Sequence, residues 1–350
     1  MIRTSHYLFA ALCLGSLFAC SRQFTDSYIV PKWCFAVFML FIVLAYEAVN
    51  ILFYRQNEQK DTRISVYGFI IVISCFLQAM FGVVQFFGFF QISTTLWVTG
   101  SFDNPAGFAA CLCAGFPFVG FLLSDSNKYI RYVGGLIGFV IVIAVILSQS
   151  RAGIMSIAFI CFILLNMKFF HKRWVKYLSL LCFALLLSGC YWMKKDSADG
   201  RLLIWRCSVS MVKDAPWLGH GIGSFEARYM DYQADYFRQY GLNRYFKEYG
   251  SQNRYAMLAD NVKQPFNEYL GVLLNFGFVG LLMILALITL LIYCYKKHPC
   301  AEKRIAFYSL ISIGVFSFFS YTFTYPFTWI VTFLCIIILT KEYIAKVFTC

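Results

Sequence analysis

The sequence predicts an all-α, polytopic integral membrane protein with about ten transmembrane helices and one long extracytoplasmic loop that contains short amphipathic helices. Of its 350 residues, 60% are hydrophobic and only 13% are charged, and the mean hydropathy is +0.68. A soluble domain could not bury that much apolar surface. The net charge of +13 comes from short basic clusters between apolar runs, a distribution that indicates membrane orientation and not nucleic-acid binding.

Apolar runs of the length that crosses a bilayer, about 17–25 residues, divide the chain into three parts. N-terminal transmembrane helices (1–193) are followed by a polar segment (194–265) and by C-terminal transmembrane helices (266–350). A weaker run at 7–20 fits either a retained helix, which we favour, or a signal-peptide core. The predicted spans lie at roughly 34–54, 66–91, 106–123, 132–149, 153–170, 177–193, 266–293, 305–321 and 326–341.

The distribution of Lys and Arg predicts the orientation of the spans. Basic residues recur in every second loop, whereas the short loops between them hold only Arg22, Lys32 and Arg151. By the positive-inside rule, both termini are then cytoplasmic and the 194–265 loop lies outside the cytoplasm.

Cysteine usage points to packing and not to a metal centre. The chain has 14 cysteines, most of them inside apolar runs, where Cys behaves as a small hydrophobe. There is no CxxC and no metal-ligand spacing, so we expect neither a disulfide framework in the outer loop, nor a metal, nor a cofactor.

The outer segment opens with a predicted amphipathic helix at 200–213. Asp199 is its expected N-cap, and Pro216 is expected to end it. Arg201 and Arg206 on this helix can either extend to lipid phosphates or bind a phosphate of the substrate. Its apolar face, at helical spacing, consists of Leu202, Trp205, Val209 and Val212, and we expect the helix to lie near the membrane surface with Trp205 at headgroup depth.

A glycine-rich stretch, GHGIG at 219–223, follows this helix. It is either a simple turn, which we favour, or a loop whose N–H groups bind phosphate, and it carries His220. A second helix is predicted from Ser224 as its cap to Gly241 as its stop. It carries a stripe of tyrosines that can pack against the protein or stack on sugar rings: Tyr229, Tyr232, Tyr236 and Tyr240.

Two further polar positions flank spans. LSQSRAG (147–153) joins two spans with hardly any loop, which holds Arg151 at the outer membrane surface. A charge well inside the bilayer costs roughly 2.5–3.5 kcal/mol, so Arg151 needs an anionic partner, either lipid headgroups or a bound diphosphate. Asn267 and Glu268 occupy the first turn of the next span, where Glu268 can favour the helix N-terminus or act as a base.

Four stretches occur together in order: GSFDNPAGFAA (100–110), LSQSRAG (147–153), GRLLIWRCSVSMVKDAPWLGHGIGSF (200–225) and FNEYLGVLLNFGFVGLL (266–282). Over about residues 95–285 they resemble the O-antigen ligase and Wzy-type polymerase family. The resemblance implies transfer of a glycan from an undecaprenyl diphosphate carrier, without metal or nucleotide, at the outer face of the bacterial inner membrane. The acceptor would be a hydroxyl on lipid A core, on another lipid-linked glycan or on a protein.

The resemblance also implies roles for individual residues. Arg151 and Arg201 would handle the diphosphate, because guanidinium groups bind phosphate through paired N–H donors. The remaining substrate-binding candidates, drawn from the matching stretches and the tyrosine stripe, are Arg206, Asn267, Asn104, Tyr229, Tyr232 and Tyr236.

One position departs from the family pattern. Many ligases carry a histidine immediately before the Asn-Glu pair, where this sequence has Phe266. His220 and Glu268 are the alternative candidates for the base. We therefore expect a polymerase of surface polysaccharide, with an O-antigen ligase or a protein O-oligosaccharyltransferase as the alternatives. The rival of another class is a polysaccharide transporter or flippase, but Glu47 is the only acidic residue well inside an apolar run.

Overall fold

The computed structural model describes residues 2–53, 60–89, 98–168, 173–193, 195–249 and 259–347, and all regular structure in these ranges is helical. A 3-10 turn (Phe116–Phe118) separates the fourth and fifth α-helices. The α-helices are α1 (Ile2–Phe18), α2 (Ile29–Phe53), α3 (Lys60–Phe86), α4 (Pro105–Gly115), α5 (Val119–Leu123), α6 (Lys128–Leu147), α7 (Arg151–Lys168), α8 (Arg173–Met193), α9 (Lys195–Asp214), α10 (Ser224–Tyr249), α11 (Glu268–Lys297), α12 (Ala301–Phe319) and α13 (Pro326–Val347).

Several helices in the described ranges are long and apolar enough to cross a membrane, which confirms the class of polytopic, all-α membrane protein. Two shorter apolar helices, Thr4–Phe18 and Arg151–Met167, accompany them. The count of about ten spans and the side of the membrane on which each loop lies stay predictions. The six long candidate spans are Ile29–Val49, Ser65–Phe86, Pro105–Leu123, Lys128–Leu147, Glu268–Lys297 and Pro326–Tyr343.

The chain forms two compact units, which are described separately. Unit one comprises Met1–Leu165, Leu291–Phe316 and Thr322–Cys350. Unit two comprises Asn166–Leu290 and Ser317–Tyr321. The boundaries at 193 and 265 were predicted as the ends of the membrane-spanning parts of the chain. The division into two units does not test them.

Unit one is a helical bundle held by close packing and by hydroxyl groups. α1 packs on α2 and α3, α3 packs on α6, and α4 packs on α13. Between helices, Ser312 donates to the carbonyl of Cys113 (2.7 Å) and Ser309 donates to that of Ala114 (2.7 Å). Small side chains and hydroxyls that bond across an interface are what apolar helices use to associate in lipid.

Lys32 differs from the prediction, which placed it in a short outer loop. It lies in the first turn of α2 and is completely buried. Its Nζ donates to the carbonyls of Ala19 (3.0 Å) and Ser101 (2.9 Å) and lies 4.8 Å from the ring centroid of Phe102. Lys32 therefore ties two loops of unit one to α2, and it does not mark an exposed loop.

Unit two has its own core, which α9 and α10 build together with the start of α11. Leu202 and Val209, on the face predicted to lie near the membrane surface, are exposed, whereas Trp205 and Val212 pack against the core. Contact of this face with the membrane stays a prediction. The buried cluster consists of Leu203, Ile204, Cys207, Met211, Phe225, Tyr229 and Leu274.

The ends of α9 and α10 agree with the predictions only in part. α9 stops at Asp214, before Pro216, as expected. It begins at Lys195, so the prediction of Asp199 as its N-cap is wrong. Asp199 lies inside the helix, is buried, and accepts a hydrogen bond from the hydroxyl of Tyr191 (2.9 Å). α10 runs on to Tyr249, past the predicted stop, since one interior glycine costs a helix only about 1 kcal/mol.

α11 is not the continuous span that the apolar run predicted. It is kinked at Gly277, which has φ +61°. The loop between α9 and α10 pairs its backbone with the kink through four hydrogen bonds, which we call the loop–kink bonds. They join His220 N to Leu274 O (2.7 Å), Gly221 N to Asn275 O (3.1 Å), Phe278 N to Pro216 O (2.8 Å) and Val279 N to Trp217 O (3.2 Å).

Candidate active site

Arg201, on α9, lies against the segment that leads into α11. Its guanidinium carbon is 5.0 Å from the centroid of the Phe266 ring. One of its Nη atoms donates to the backbone carbonyl of Phe319, which lies in the same unit. A guanidinium that rests on an aromatic face is held by cation–π attraction and by stacking. The side chain is therefore positioned by the protein and does not extend freely toward lipid.

Phe266 adopts a backbone conformation that is rare for a bulky residue, with φ +53°. Such a residue costs about 1–3 kcal/mol, and the surrounding contacts must hold it in place. On one side, Trp205 Nε1 donates to the carbonyl of Pro265 (2.9 Å). On the other, Asn267 caps α11 by accepting the amide of Leu270 at its Oδ1 (3.0 Å). The segment is thus fixed at both ends around Phe266.

Two aromatic pairs, one of which includes Phe266, form together with this arginine what we call the Arg201 site: Arg201, Trp205, Phe266, Phe318 and Tyr321. The ring centroids of Trp205 and Phe318 are 5.8 Å apart, and those of Phe266 and Tyr321 are 5.3 Å apart. Apolar rings around a cation reduce its contact with water, so its attraction for a bound anion is stronger than in bulk solvent.

His220 is held by two hydrogen bonds that use both of its ring nitrogens. Nε2 lies 2.7 Å from the carbonyl of Met211 and must carry the proton, because a carbonyl only accepts. Nδ1 then accepts from the guanidinium of Arg228 at 3.0 Å. A general base needs a nitrogen lone pair directed at the proton of the acceptor. In this arrangement His220 fastens the loop between α9 and α10 and has no such lone pair.

The glycine-rich stretch is a turn that docks on α11, as the favoured interpretation predicted. Gly219 and Gly221 both have positive φ (+69° and +90°). The amide of Gly219 bonds to Ala215 O, and those of His220 and Gly221 take part in the loop–kink bonds. These three N–H groups are therefore engaged within the protein and are not directed at a phosphate.

The tyrosine stripe divides into a buried and a partly exposed part. Tyr229 is buried, stacks on Phe225 with ring centroids 4.9 Å apart, and accepts a bond from Gln233 (2.8 Å). Burial raises the pKa of the Tyr229 hydroxyl above its ordinary value. Packing is thus the role of this residue in the structure. The side chain of Tyr240 lies outside the described residues.

Tyr232 and Tyr236 lie where α10 meets α9. The hydroxyl of Tyr232 donates to the carboxylate of Asp214 (2.6 Å), and mainly for this reason the pKa of Tyr232 is raised to about 12. The hydroxyl of Tyr236 accepts a long bond from Arg206 (3.4 Å). Arg206 and these two tyrosines therefore form a polar edge along the α9–α10 pair.

Cys207 is buried in the core of unit two, and burial raises its pKa to about 12. The thiolate, and not the thiol, is the reactive form of cysteine. Cys207 is thus a packing residue at neutral pH.

Arg151 and Asn104 belong to unit one. Arg151 is the first residue of α7, after a turn of three residues in which Gln149 has φ +52°. This confirms the predicted tight turn. Asn104 caps α4, because its Oδ1 accepts the amide of Gly107 (2.9 Å) and also the hydroxyl of Tyr325 (3.2 Å). Its observed role is structural.

Sequence reasoning missed three elements of the Arg201 site and its surroundings. The ring of Phe266 and the carbonyl of Phe319 hold Arg201, and Gly277 permits the kink that receives the loop. The signal for Gly277 was a glycine between two phenylalanines inside an apolar run. The carbonyl of Phe319 has no sequence signal, because any residue supplies a carbonyl.

The fold and this site define a multi-span helical membrane protein whose polar, helical segment carries a half-buried, aromatically packed arginine. Residues 136–285 match the family model described as O-antigen ligase. The match confirms the family resemblance and includes Arg151, Arg201 and Phe266. Asn104 lies outside the matched residues. No curated protein and no solved structure matches the chain significantly.

Proposed function

We propose that the protein transfers a glycan from an undecaprenyl-diphosphate-linked donor to a hydroxyl, at the outer face of the bacterial inner membrane. The family match supports glycan transfer of the ligase or polymerase type. The observation that carries the finer proposal is the position of Arg201. Its guanidinium lies on the ring of Phe266, beside the capped first turn of the candidate span α11. The diphosphate of a lipid carrier lies at the same junction of membrane and water.

The chemistry of this transfer calls for a fixed cation. When the anomeric carbon leaves the carrier, negative charge grows on the diphosphate. A guanidinium meets that charge through paired N–H donors, and it does so most effectively where water is excluded. Arg201, half-buried against the ring of Phe266 and bonded to the carbonyl of Phe319, is a guanidinium fixed in place by the protein.

Arg151 is the second proposed contact to the diphosphate. As the first residue of α7, it places a positive charge at the positive end of the helix dipole, which costs about 0.3–1 kcal/mol. An anion bound at this end would interact with both the guanidinium and the helix N-terminus. That anion is either the donor diphosphate or a lipid headgroup.

Glu268 is the better of the two candidates for the base. It is the first residue of α11 and is partly buried, directly after the Asn267 cap. The hydrogen bonds of His220 to Met211 and Arg228 argue against the histidine. We therefore propose that Glu268 is the base that accepts the proton of the acceptor hydroxyl. Arg206, Tyr232 and Tyr236 are proposed to contact the glycan along the α9–α10 edge.

We propose that the acceptor is a second lipid-linked glycan, which makes the protein a polymerase of O-antigen, capsule or exopolysaccharide repeats. The supporting observation is Phe266, whose ring packs against Arg201 at the position where many ligases have a histidine. The description of the matching family keeps an O-antigen ligase, with lipid A core as acceptor, as the second candidate.

Reconstitution in liposomes with a single substrate tests the proposal. The substrate is the undecaprenyl-diphosphate-linked repeat unit, and the product is analysed for chain length on a gel. A polymerase lengthens the chains without any other acceptor. If folded protein makes no longer chains until lipid A core or an acceptor protein is added, the polymerase assignment is wrong and the ligase or protein transferase replaces it.

A further inference from the structure

The loop between α9 and α10 (215–223) exposes three large apolar side chains within six positions. Trp217 is 69% exposed, Leu218 is 74% exposed and Ile222 is 83% exposed. Single exposed apolar residues are ordinary on a protein surface, whereas a cluster of this kind marks an interaction site. Four polar groups of the loop backbone are paired with α11 in the loop–kink bonds.

The loop and the kink of α11 satisfy each other's backbone groups. At Gly277 the helix leaves amides and carbonyls without their usual partners, and the loop supplies the missing donors and acceptors. The approach is close, since a Cβ on Gly219 would lie 2.6 Å from the carbonyl carbon of Asn275. Irregular backbone at membrane depth is tolerated only when its polar groups are satisfied within the protein.

The length of α11 beyond the kink gives the depth of the loop in the membrane. Phe278–Lys297 contains about 20 residues and rises about 30 Å, the thickness of the hydrocarbon layer. Lys296 and Lys297 mark the end of the span at one membrane surface. The kink, and with it the loop, must then lie at the opposite boundary of the hydrocarbon.

The apolar surface of the loop continues onto the exposed side of the span. The ring centroids of Trp217 and Phe278 are 6.1 Å apart, and the side chains of Phe278 and Val279 are also exposed. A spanning helix faces lipid with its exposed apolar side chains. The apolar surface of the loop adjoins these side chains, so we expect it to contact the same lipid acyl chains.

We infer that the 215–223 loop is a membrane anchor that inserts into the acyl chains of one leaflet. Trp217 lies at the boundary between headgroups and hydrocarbon, as tryptophan does in membrane proteins, and Leu218 and Ile222 reach deeper. Because the loop follows α9 directly, the anchor fixes the height of this helix relative to the bilayer. The inference concerns lipid contact and does not depend on which glycan the protein transfers.

Fluorescence quenching in liposomes tests the anchor with the full-length protein. The contribution of Trp217 is the emission of the wild type minus that of Trp217→Phe, a mild substitution that keeps an aromatic ring. We expect this difference signal to be lost in vesicles whose lipids are brominated near the start of the acyl chains. Iodide in the water is expected to leave the signal unchanged. A signal that iodide quenches and brominated lipid does not would overturn the inference.

A second probe removes the dependence on one tryptophan. Ile222→Cys is labelled with a nitroxide, and the matched position is Ala227→Cys, on the exposed surface of α10. Signal from the wild type, labelled in parallel, is subtracted to correct for the native cysteines. The label at 222 should be more accessible than the label at 227 to oxygen, which concentrates in hydrocarbon. The label at 227 should be more accessible than the label at 222 to a water-soluble nickel chelate. Equal access of both labels to the nickel chelate would also refute the anchor. Shielding of the label at 222 from both reagents would refute it too, because that result indicates a protein partner at this surface.

Discussion

Replacement of Arg201 tests the site most directly, and the structure indicates which variants to compare. Arg201→Ala removes the cation, the contact with the ring of Phe266 and the bond to the carbonyl of Phe319. Arg201→Lys keeps a positive charge on a long stem but loses the planar fork that binds phosphate through two donors. Lys213→Ala serves as the charge-matched control, because it removes a cation from the last turn of the same helix.

The expected magnitudes separate folding from catalysis. The ring contact is worth about 0.5–2 kcal/mol, and a hydrogen bond from a charged group about 1.5–3 kcal/mol. Such a loss can reduce the amount of folded protein. Loss of a donor that stabilises the charge of the transition state lowers the rate about 10²- to 10³-fold. We therefore expect Arg201→Ala to lower the turnover per folded molecule by that factor, with Arg201→Lys in between.

The assay measures glycan chain growth in liposomes and is normalised to the folded, inserted protein, determined by size-exclusion chromatography after extraction. Phe266→Leu is a useful companion, since it removes the ring beneath Arg201 and retains the charge. We expect it to reduce turnover far less than Arg201→Ala does. Normal polymer from a well-folded Arg201→Ala protein would refute the assignment of Arg201 to the diphosphate.

Three further outcomes are expected. Arg151→Lys should impair chain growth, because an ammonium group cannot replace a bidentate fork; full activity would reduce Arg151 to a contact with lipid. Glu268→Gln should lower turnover, whereas His220→Gln, whose amide can still donate to a carbonyl, should retain it; the reverse result would make the histidine the base. The raised pKa of Tyr232 implies that its bond to Asp214 stabilises the fold fully below about pH 10 and is lost as pH rises through about 12. Asp214→Asn should return that pKa toward about 10, measured by ultraviolet titration against Tyr232→Phe.

Composition and hydropathy were sufficient to predict the class of fold, because a long apolar run has few alternatives to a buried helix. The tight turn before Arg151 and the end of α9 before Pro216 followed from local chemistry. The N-cap at Asp199 did not, because a buried hydrogen bond with Tyr191 keeps this aspartate inside a longer helix. Capping propensity is a local preference, and a tertiary contact of this kind overrides it.

The sequence did not indicate which side of α9 enters the core of unit two. Leu202, Leu203, Ile204 and Trp205 are consecutive apolar residues, so a helical wheel offers more than one apolar side. The structure buries Leu203 and Ile204 in the core and leaves Leu202 exposed. The exposed Leu202 belongs to the apolar face that the sequence predicts near the membrane surface, and that orientation stays a prediction.

Two departures from local rules, Phe266 and Gly277, lie in the segment that matches the family model. A phenylalanine at φ +53° is strained, and the kink at Gly277 interrupts the hydrogen bonds of a helix. Each conformation is maintained by contacts with α9 or with the loop that follows it, and these partners are distant in sequence. Strain that a fold maintains in this way is expected at functional sites. Phe266 supports the guanidinium of Arg201, and Gly277 receives the loop that follows α9, so both departures act on the surroundings of the helix that carries Arg201.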